Sequence, residues 1–234
     1  KSDVSEFTSY LTRKPILSDR NLDKLVSKTL SNLWTSTKFY KAKFLEQNNR
    51  HREFFLSSSN LEPNLKESPG SSRDFHSALW ILQHCYGLKT VDDILNLSFF
   101  KDEFLIARNA YNFIKVLRFI TNLFTKNNKL DFETQIEIAK RTSSGKLNQS
   151  NKALVEKMMA KYYEHAHYIS HFNTLIYQFF EEKRYSIKNK KGLYKIGSKV
   201  GFANVSLEEN KELIFKIFLE IGNNKKINAV DVQT

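Results

Sequence analysis

The strongest constraint on this chain is the position of its helix breakers. Only three prolines and seven glycines occur in 234 residues, and two of the prolines and one glycine fall within LEPNLKESPGSSRD, residues 61–74. Proline removes a backbone donor and disfavours helical geometry in the residue before it, while glycine suits turns and helix ends. Breakers this scarce favour long helices over a sheet sandwich, which needs turn residues at short intervals. Hydrophobic residues reach 41% and aromatics 13%, with 19 Phe, enough for a packed interior at this length. The predicted fold is all-α, a bundle of long antiparallel helices.

Periodicity places the elements. Residues 3–13 read as a short helix. Leu22, Leu25, Val26, Leu30, Leu33 and Trp34 recur at helical spacing, predicting one helix from about Ser18, its N-cap, to Phe55. Pro63 ends helical geometry at Glu62, and Ser68-Pro69-Gly70 reads as a turn. Ser71 and Asp74 match a Ser-x-x-acid capping box, so a helix starts there and stops at Gly87. A helix over 101–126 is apolar round most of its circumference and is predicted to lie centrally; Lys115 and Arg118 form its polar edge. A short helix over 131–141 and a longer one from Ser150 or Asn151 to about Lys183 follow. The inner face of the longer helix includes Met159, Tyr162, Tyr163, Ala166, Ile169, Phe172 and Asn173.

After Lys183 the composition changes. Tyr185 and Ile187, then Leu193, Tyr194 and Ile196, suggest a small β hairpin near residues 184–203 around a Lys-Gly turn. A helix over about 207–221 and a polar tail close the chain. Two parts are expected: a helical bundle over 1–183, and the hairpin, terminal helix and linker stub over 184–234, packed on the bundle. The chain opens on Lys1, and its only methionines are Met158 and Met159, which predicts a piece of a longer polypeptide.

Several functions are disfavoured. The single Cys85 allows no internal disulfide or cysteine-clustered metal site and fits a reducing, cytoplasmic compartment. No apolar run approaches the ~20 residues of a membrane span. The net charge is +12, but 28 of the 37 basic residues are Lys and nine are Arg. Lysine spread along helices forms a solvated face, and arginine is the better sign of phosphate recognition, so nucleic acid is not the expected partner. GLYKIGSK (192–199) has Ser198 before Lys199, the wrong order for a phosphate loop. His167 and His171 share a helix face but lack a third ligand. His84 and Cys85 diverge by about 100° on a helix and do not form a nucleophile–base pair. Asp92-Asp93 reads as capping. No catalytic residue and no metal ligand is assigned.

The interrupted stretch remains. A helix N-terminus presents unpaired donors and partial positive charge, which suits an anion, and Lys66 and Arg73 add two cations. The structural alternative has Glu62 and Asp74 pairing with Lys66 and Arg73 to pin the turn.

LEPNLKESPGSSRDFHSALW resembles the EP(D/N)-hydrophobic-K-x-x-PGGLRD-I motif of bacterial PII-protein uridylyltransferases, the bifunctional uridylyl-transferring and uridylyl-removing enzymes of nitrogen control. KFYKAKFLEQNNRHREFF before it, and LRFITNLF, LDFETQIEIAKR and VEKMMAKYYEHAHYISHFNTLIYQFFEE after it, are similar to the family in order and spacing from about residue 3 to 182. The likeness runs more loosely to 222. Glutamine-synthetase adenylyltransferases carry a related motif and resemble the chain more weakly. The chain departs from the family pattern at Gly70-Ser71-Ser72 for Gly-Gly-Leu, Phe132-Glu133-Thr134-Gln135 for Phe-Asp-x-Gln, and Asn122 for a histidine.

The resemblance implies the helical domain that follows a nucleotidyltransferase domain and precedes HD and ACT domains in one polypeptide. It implies transfer of UMP from UTP to a tyrosine of a PII-type signal protein, with Mg2+ or Mn2+ held outside this chain. Lys66 and Arg73 would contact phosphate at the nucleotide cleft and Asp74 would orient Arg73. Glu62 and Gly70 belong to the same turn, and Arg118 and Lys115 form a second candidate set. The competing reading is a non-catalytic basic module for an acidic protein or a nucleic acid.

Overall fold

A computed structural model describes residues 3–11, 19–56, 61–88, 90–96, 101–142, 151–184, 192–196, 199–203, 212–223 and 229–230. The fold is predominantly helical. The chain divides into two compact units, residues 1–174 and 175–234.

The first unit contains α1 (Val4–Leu11), α2 (Arg20–Leu33), α3 (Ser36–Leu56), α4 (Ser72–Tyr86), α5 (Val91–Leu95), α6 (Lys101–Thr125), α7 (Phe132–Thr142) and most of α8 (Asn151–Arg184). The single helix expected over 18–55 is two. Trp34 is extended, with φ −124° and ψ 108°, between α2 and α3. Its carbonyl is held by His84 Nε2 of α4 at 2.8 Å, and Thr35 Oγ1 accepts from Lys38 N to open α3. Apolar spacing continues across this break because Trp34 and Phe39 both turn inward, so periodicity alone cannot see it. Asp19 caps α2, its carboxylate accepting from Asn21 N at 2.8 Å; Ser18 lies outside the described residues. Thr90 and Asp93 form a full capping box on α5, and Gly87 ends α4 in the left-handed region at φ 72°.

The core is built from one stripe each of α1, α3, α4, α6, α7 and α8. Phe7, Phe39, Phe75, Ala78, Ile81, Leu82, Phe104, Ala107, Ala110, Ile114, Leu117, Ile138, Tyr162, Ile169 and Phe172 are buried, each large apolar side chain contributing about 1.5–3 kcal/mol by leaving water. Phe75 of α4 is at the centre: its ring stacks on Tyr111 at 4.5 Å and lies 6.2–6.4 Å from Phe172 and Phe104. The expectation that α6 is central holds for one face only. Val116, Phe119 and Leu123, on its other face, are exposed, as is Tyr163 of α8, which the spacing put inside.

The second unit holds the last residues of α8, a sheet of order β1-β2-β3 and α9 (Glu212–Asn223). β1 (Gly192–Ile196) pairs antiparallel with β2 (Lys199–Ala203) from Gly192↔Ala203 to Ile196↔Lys199. β3 (Ala229–Val230) runs parallel to β2. The hairpin expected around Lys191-Gly192 is not what these residues form: Gly192 lies within β1, whose partner is downstream. The proposed strand at Tyr185 and Ile187 lies outside the described residues. The tail read as a polar stub supplies β3, because edge pairing is satisfied by backbone groups whatever the side chains.

Candidate functional site

The segment between α3 and α4 is fastened from behind. Leu65 N donates to Asn128 O at 2.8 Å and Leu130 N to Pro63 O at 2.9 Å, lacing it to the α6–α7 connection. Glu62 accepts from Phe132 N at 3.0 Å and from Lys129 Nζ at 2.8 Å. These two bonds, that from Lys129 first, hold its carboxyl below the ordinary carboxylate value. Gln135 Nε2 donates to Leu61 O and Leu130 O. Arg118 Nε donates to Asn128 Oδ1 at 2.6 Å, and Asn122 Nδ2 reaches the same oxygen at 3.3 Å. Glu62 and Arg118 therefore brace the segment. Lys115 is exposed on α6 with its Nζ 5.9 Å from the Tyr111 ring centroid.

The inner side of the segment lies on α8. Gly70 has φ 74°, and a Cβ there would overlap the backbone of Ala166. Only glycine meets both demands, the left-handed backbone and the close approach. Ser71 needs neither, so serine is accommodated where the family pattern has a second glycine. Ser71 Oγ donates to Asn64 O at 3.1 Å and lies 3.5 Å from Tyr162 Oη. Burial pushes that phenol up to about 12.

Asp74 is only 1% exposed. Its carboxylate accepts from Arg50 Nη2, from Gly70 N at 2.7 Å and from His51 Nε2, 3.0 Å from both oxygens. Asn173 Nδ2 donates to the Asp74 carbonyl at 2.8 Å and exchanges amide hydrogen bonds with Gln47 at 2.7 and 3.1 Å. A buried carboxylate persists only when so satisfied. Two expectations are thereby corrected. Asp74 does not orient Arg73, because its lone pairs are used by α3 and by Gly70. The capping box is absent too: Ser71 is the N-cap but makes no side-chain cap bond, and Asp74 reaches back to Gly70 N instead.

The N-terminus of α4 is also not a free anion cradle. Ser72 N donates to Leu65 O at 3.3 Å, Arg73 N to Lys66 O at 3.0 Å and Asp74 N to Ser71 O at 3.1 Å. The first-turn donors that would meet an anion are consumed by the segment's own carbonyls.

What faces outward is a short charged edge. The Lys66, Glu67 and Arg73 side chains are 40%, 36% and 29% exposed. Glu67 Oε1 accepts from Arg73 Nη2 at 3.0 Å and lies 3.4 Å from Lys66 Nζ. The pairing foreseen for Lys66 and Arg73, with Glu62 and Asp74, is replaced by this shared contact. Behind the edge, Lys43 of α3 is buried, 2.9 Å from Glu46 and 4.6 Å from the Trp80 ring centroid. Burial lowers its ammonium below the ordinary value. His76, one turn after Arg73, is lowered by burial and by the charges of Arg73 and Arg118, and meets Tyr111 Oη at 3.1 Å.

Sequence reasoning missed Lys43, Gln47, Arg50 and His51. Their signal was present: a polar stripe at helical spacing on α3, carrying one of only nine arginines. The remaining candidates stay apart. His167 and His171 are exposed on α8 with ring centroids 6.5 Å apart. Among the described residues no group of three or more His, Cys, Asp or Glu is placed to hold a metal. Cys85 is pushed up to about 12 by burial, as suits a packed thiol. Among the described residues no helix is long and apolar enough to cross a membrane.

The family model of the GlnD PII-uridylyltransferase matches residues 38–177, which run from the first turn of α3 through the charged segment and into α8, more than half of the chain. The chain belongs to this family. Relatives named bifunctional uridylyltransferase/uridylyl-removing enzyme include one from Hydrogenovibrio crunogenus, 29% identical over 80% of this chain and 21% of the relative. One from Haemophilus influenzae is 31% identical over 78% of this chain and 21% of the relative. One from Acinetobacter baylyi is 25% identical over the whole chain and 28% of the relative. The chain thus spans between a fifth and a third of the length of these family members. No solved structure matches it.

Proposed function

We propose that this chain is the helical domain of a uridylyltransferase and that its Lys66–Glu67–Arg73 edge closes one side of the nucleotide cleft. The reaction is transfer of UMP from UTP to a tyrosine of a PII-type signal protein. The nucleotidyltransferase part of the polypeptide supplies the chemistry and holds Mg2+ or Mn2+, and HD and ACT domains complete the enzyme. Within this chain Lys66 and Arg73 neutralise phosphate charge, a task for which the guanidinium fork and the ammonium are suited. Family membership supports the reaction class. The observation that carries the cleft role is the contrast in exposure: two cations stay at the surface on a backbone pinned at Glu62, Leu65 and Gly70.

The test uses the full-length enzyme. Arg73→Ala and Lys66→Ala are expected to lower kcat/KM for UTP about tenfold or more, the loss of a charge-assisted hydrogen bond, with the fold intact by circular dichroism. Wild-type turnover in both variants removes the cleft role.

A further inference from the structure

We infer that Glu67 is a built-in competitor for the nucleotide's phosphates: its carboxylate holds Lys66 and Arg73 where a phosphate oxygen takes over, and the edge binds polyanions only by displacing it. This rests on the reading that Lys66 and Arg73 face phosphate.

Three observations support it. First, one oxygen of Glu67 serves both cations, at 3.0 and 3.4 Å, an arrangement that a phosphate oxygen reproduces because carboxylate and phosphate present similar acceptors to an arginine fork. Second, the two carboxylates of the segment differ in replaceability. Asp74 is buried with partners on α3 and at Gly70, whereas Glu67 is 36% exposed and bonded only at its tip. Third, the backbone beneath Glu67 is fixed. Asn64 Oδ1 accepts from Lys66 N at 2.9 Å and from Glu67 N at 3.1 Å, and Lys66 O accepts from Arg73 N. Release then requires rotation of one side chain and no movement of the loop. Burial pushes the Glu67 carboxyl up, but the hydrogen bond from Arg73 and the charges of Arg73, Lys66 and Arg50 outweigh it and leave it below its ordinary value, so the competitor is charged at neutral pH.

The device selects by charge. A di- or triphosphate brings several negative charges to the two cations and displaces a single carboxylate, whereas a monovalent anion gains nothing by the exchange.

Calorimetric titration of the full-length enzyme with inorganic tripolyphosphate tests the inference, using wild type, Glu67→Gln, Glu67→Ala, Lys66→Ala and Arg73→Ala, each checked by thermal melting. Both Glu67 variants are expected to bind about threefold to tenfold tighter than wild type, the scale of a partly exposed ion pair removed from competition. Arg73→Ala is expected to bind more weakly by a similar factor. Binding detectable only in the Glu67 variants also supports the inference. Equal affinity of wild type and both Glu67 variants, with Arg73→Ala weaker, overturns the competitor and leaves the phosphate edge standing. Affinity indifferent to Lys66 and Arg73, or no binding by any variant, overturns both.

Discussion

Asp74 and Glu67 lie in one segment, seven positions apart, and each meets an arginine, yet they do opposite things. Asp74 is enclosed between α3, Gly70 and α8, its oxygens met by Arg50, His51 and a backbone N–H. Glu67 stands at the surface and shares one oxygen between two cations. The same kind of ion pair is therefore enclosed on the inner side and open to solvent on the outer side. The difference is solvation. An enclosed charge cannot lose a partner without a large penalty, while an exposed one exchanges its partner for water or another anion. The inner side fixes the backbone so that the outer side can present side chains.

The largest expected effect is at the enclosed pair. Asp74→Ala leaves Arg50 enclosed without its carboxylate and is expected to cost about 3–5 kcal/mol in urea unfolding. In an Arg50→Ala background the cost should fall, since the two act as a unit. A loss no greater than that of a surface pair would erase the distinction between the two carboxylates. Gly70→Ala is next: the left-handed backbone and the overlap with Ala166 together are expected to cost at least about 2 kcal/mol, read as a fall in Tm.

An intermediate effect is pH dependence. The folded values of His76 and His84 lie below the ordinary 6.5, chiefly through burial. The unfolded chain therefore takes up protons first, and stability should fall as pH drops below about 6.5, levelling once the folded imidazoles also titrate. Because Arg73 is one cause of the His76 shift, Arg73→Ala should move the His76 titration upward in an NMR pH series and narrow that window. A fixed His76 titration would mean that the Arg73 charge does not reach the His76 ring. The smallest expected effect is on the outer pair itself: Arg73→Ala should change unfolding free energy by less than about 1 kcal/mol. A larger loss would make the outer edge structural and blur the comparison.

Part of this architecture was legible in the sequence because it depends on local rules. Gly87 ends α4 since no other residue adopts φ 72° so cheaply, and Thr90 with Asp93 opens α5 through bonds that span three residues. The bounds of α6 and α8 followed from apolar period and scarce breakers, and the charged segment stood out because it held most of the prolines. The break at Trp34 did not show, because it is held by His84 from another helix. Nor did the partner of β1, because strand pairing is a backbone affair that side-chain pattern only biases.

The charges divide along the same line. Sequence alone determined that residues 61–74 interrupt two helices and carry a cluster of five charges. Which carboxylate is enclosed and which stays exposed to solvent was decided by tertiary structure. Arg50, His51, Asn173 and Ala166 are distant along the chain and act on Asp74 and Gly70 only once α3, α4 and α8 are packed, and it is that packing which removes water from one charge and leaves it on the other.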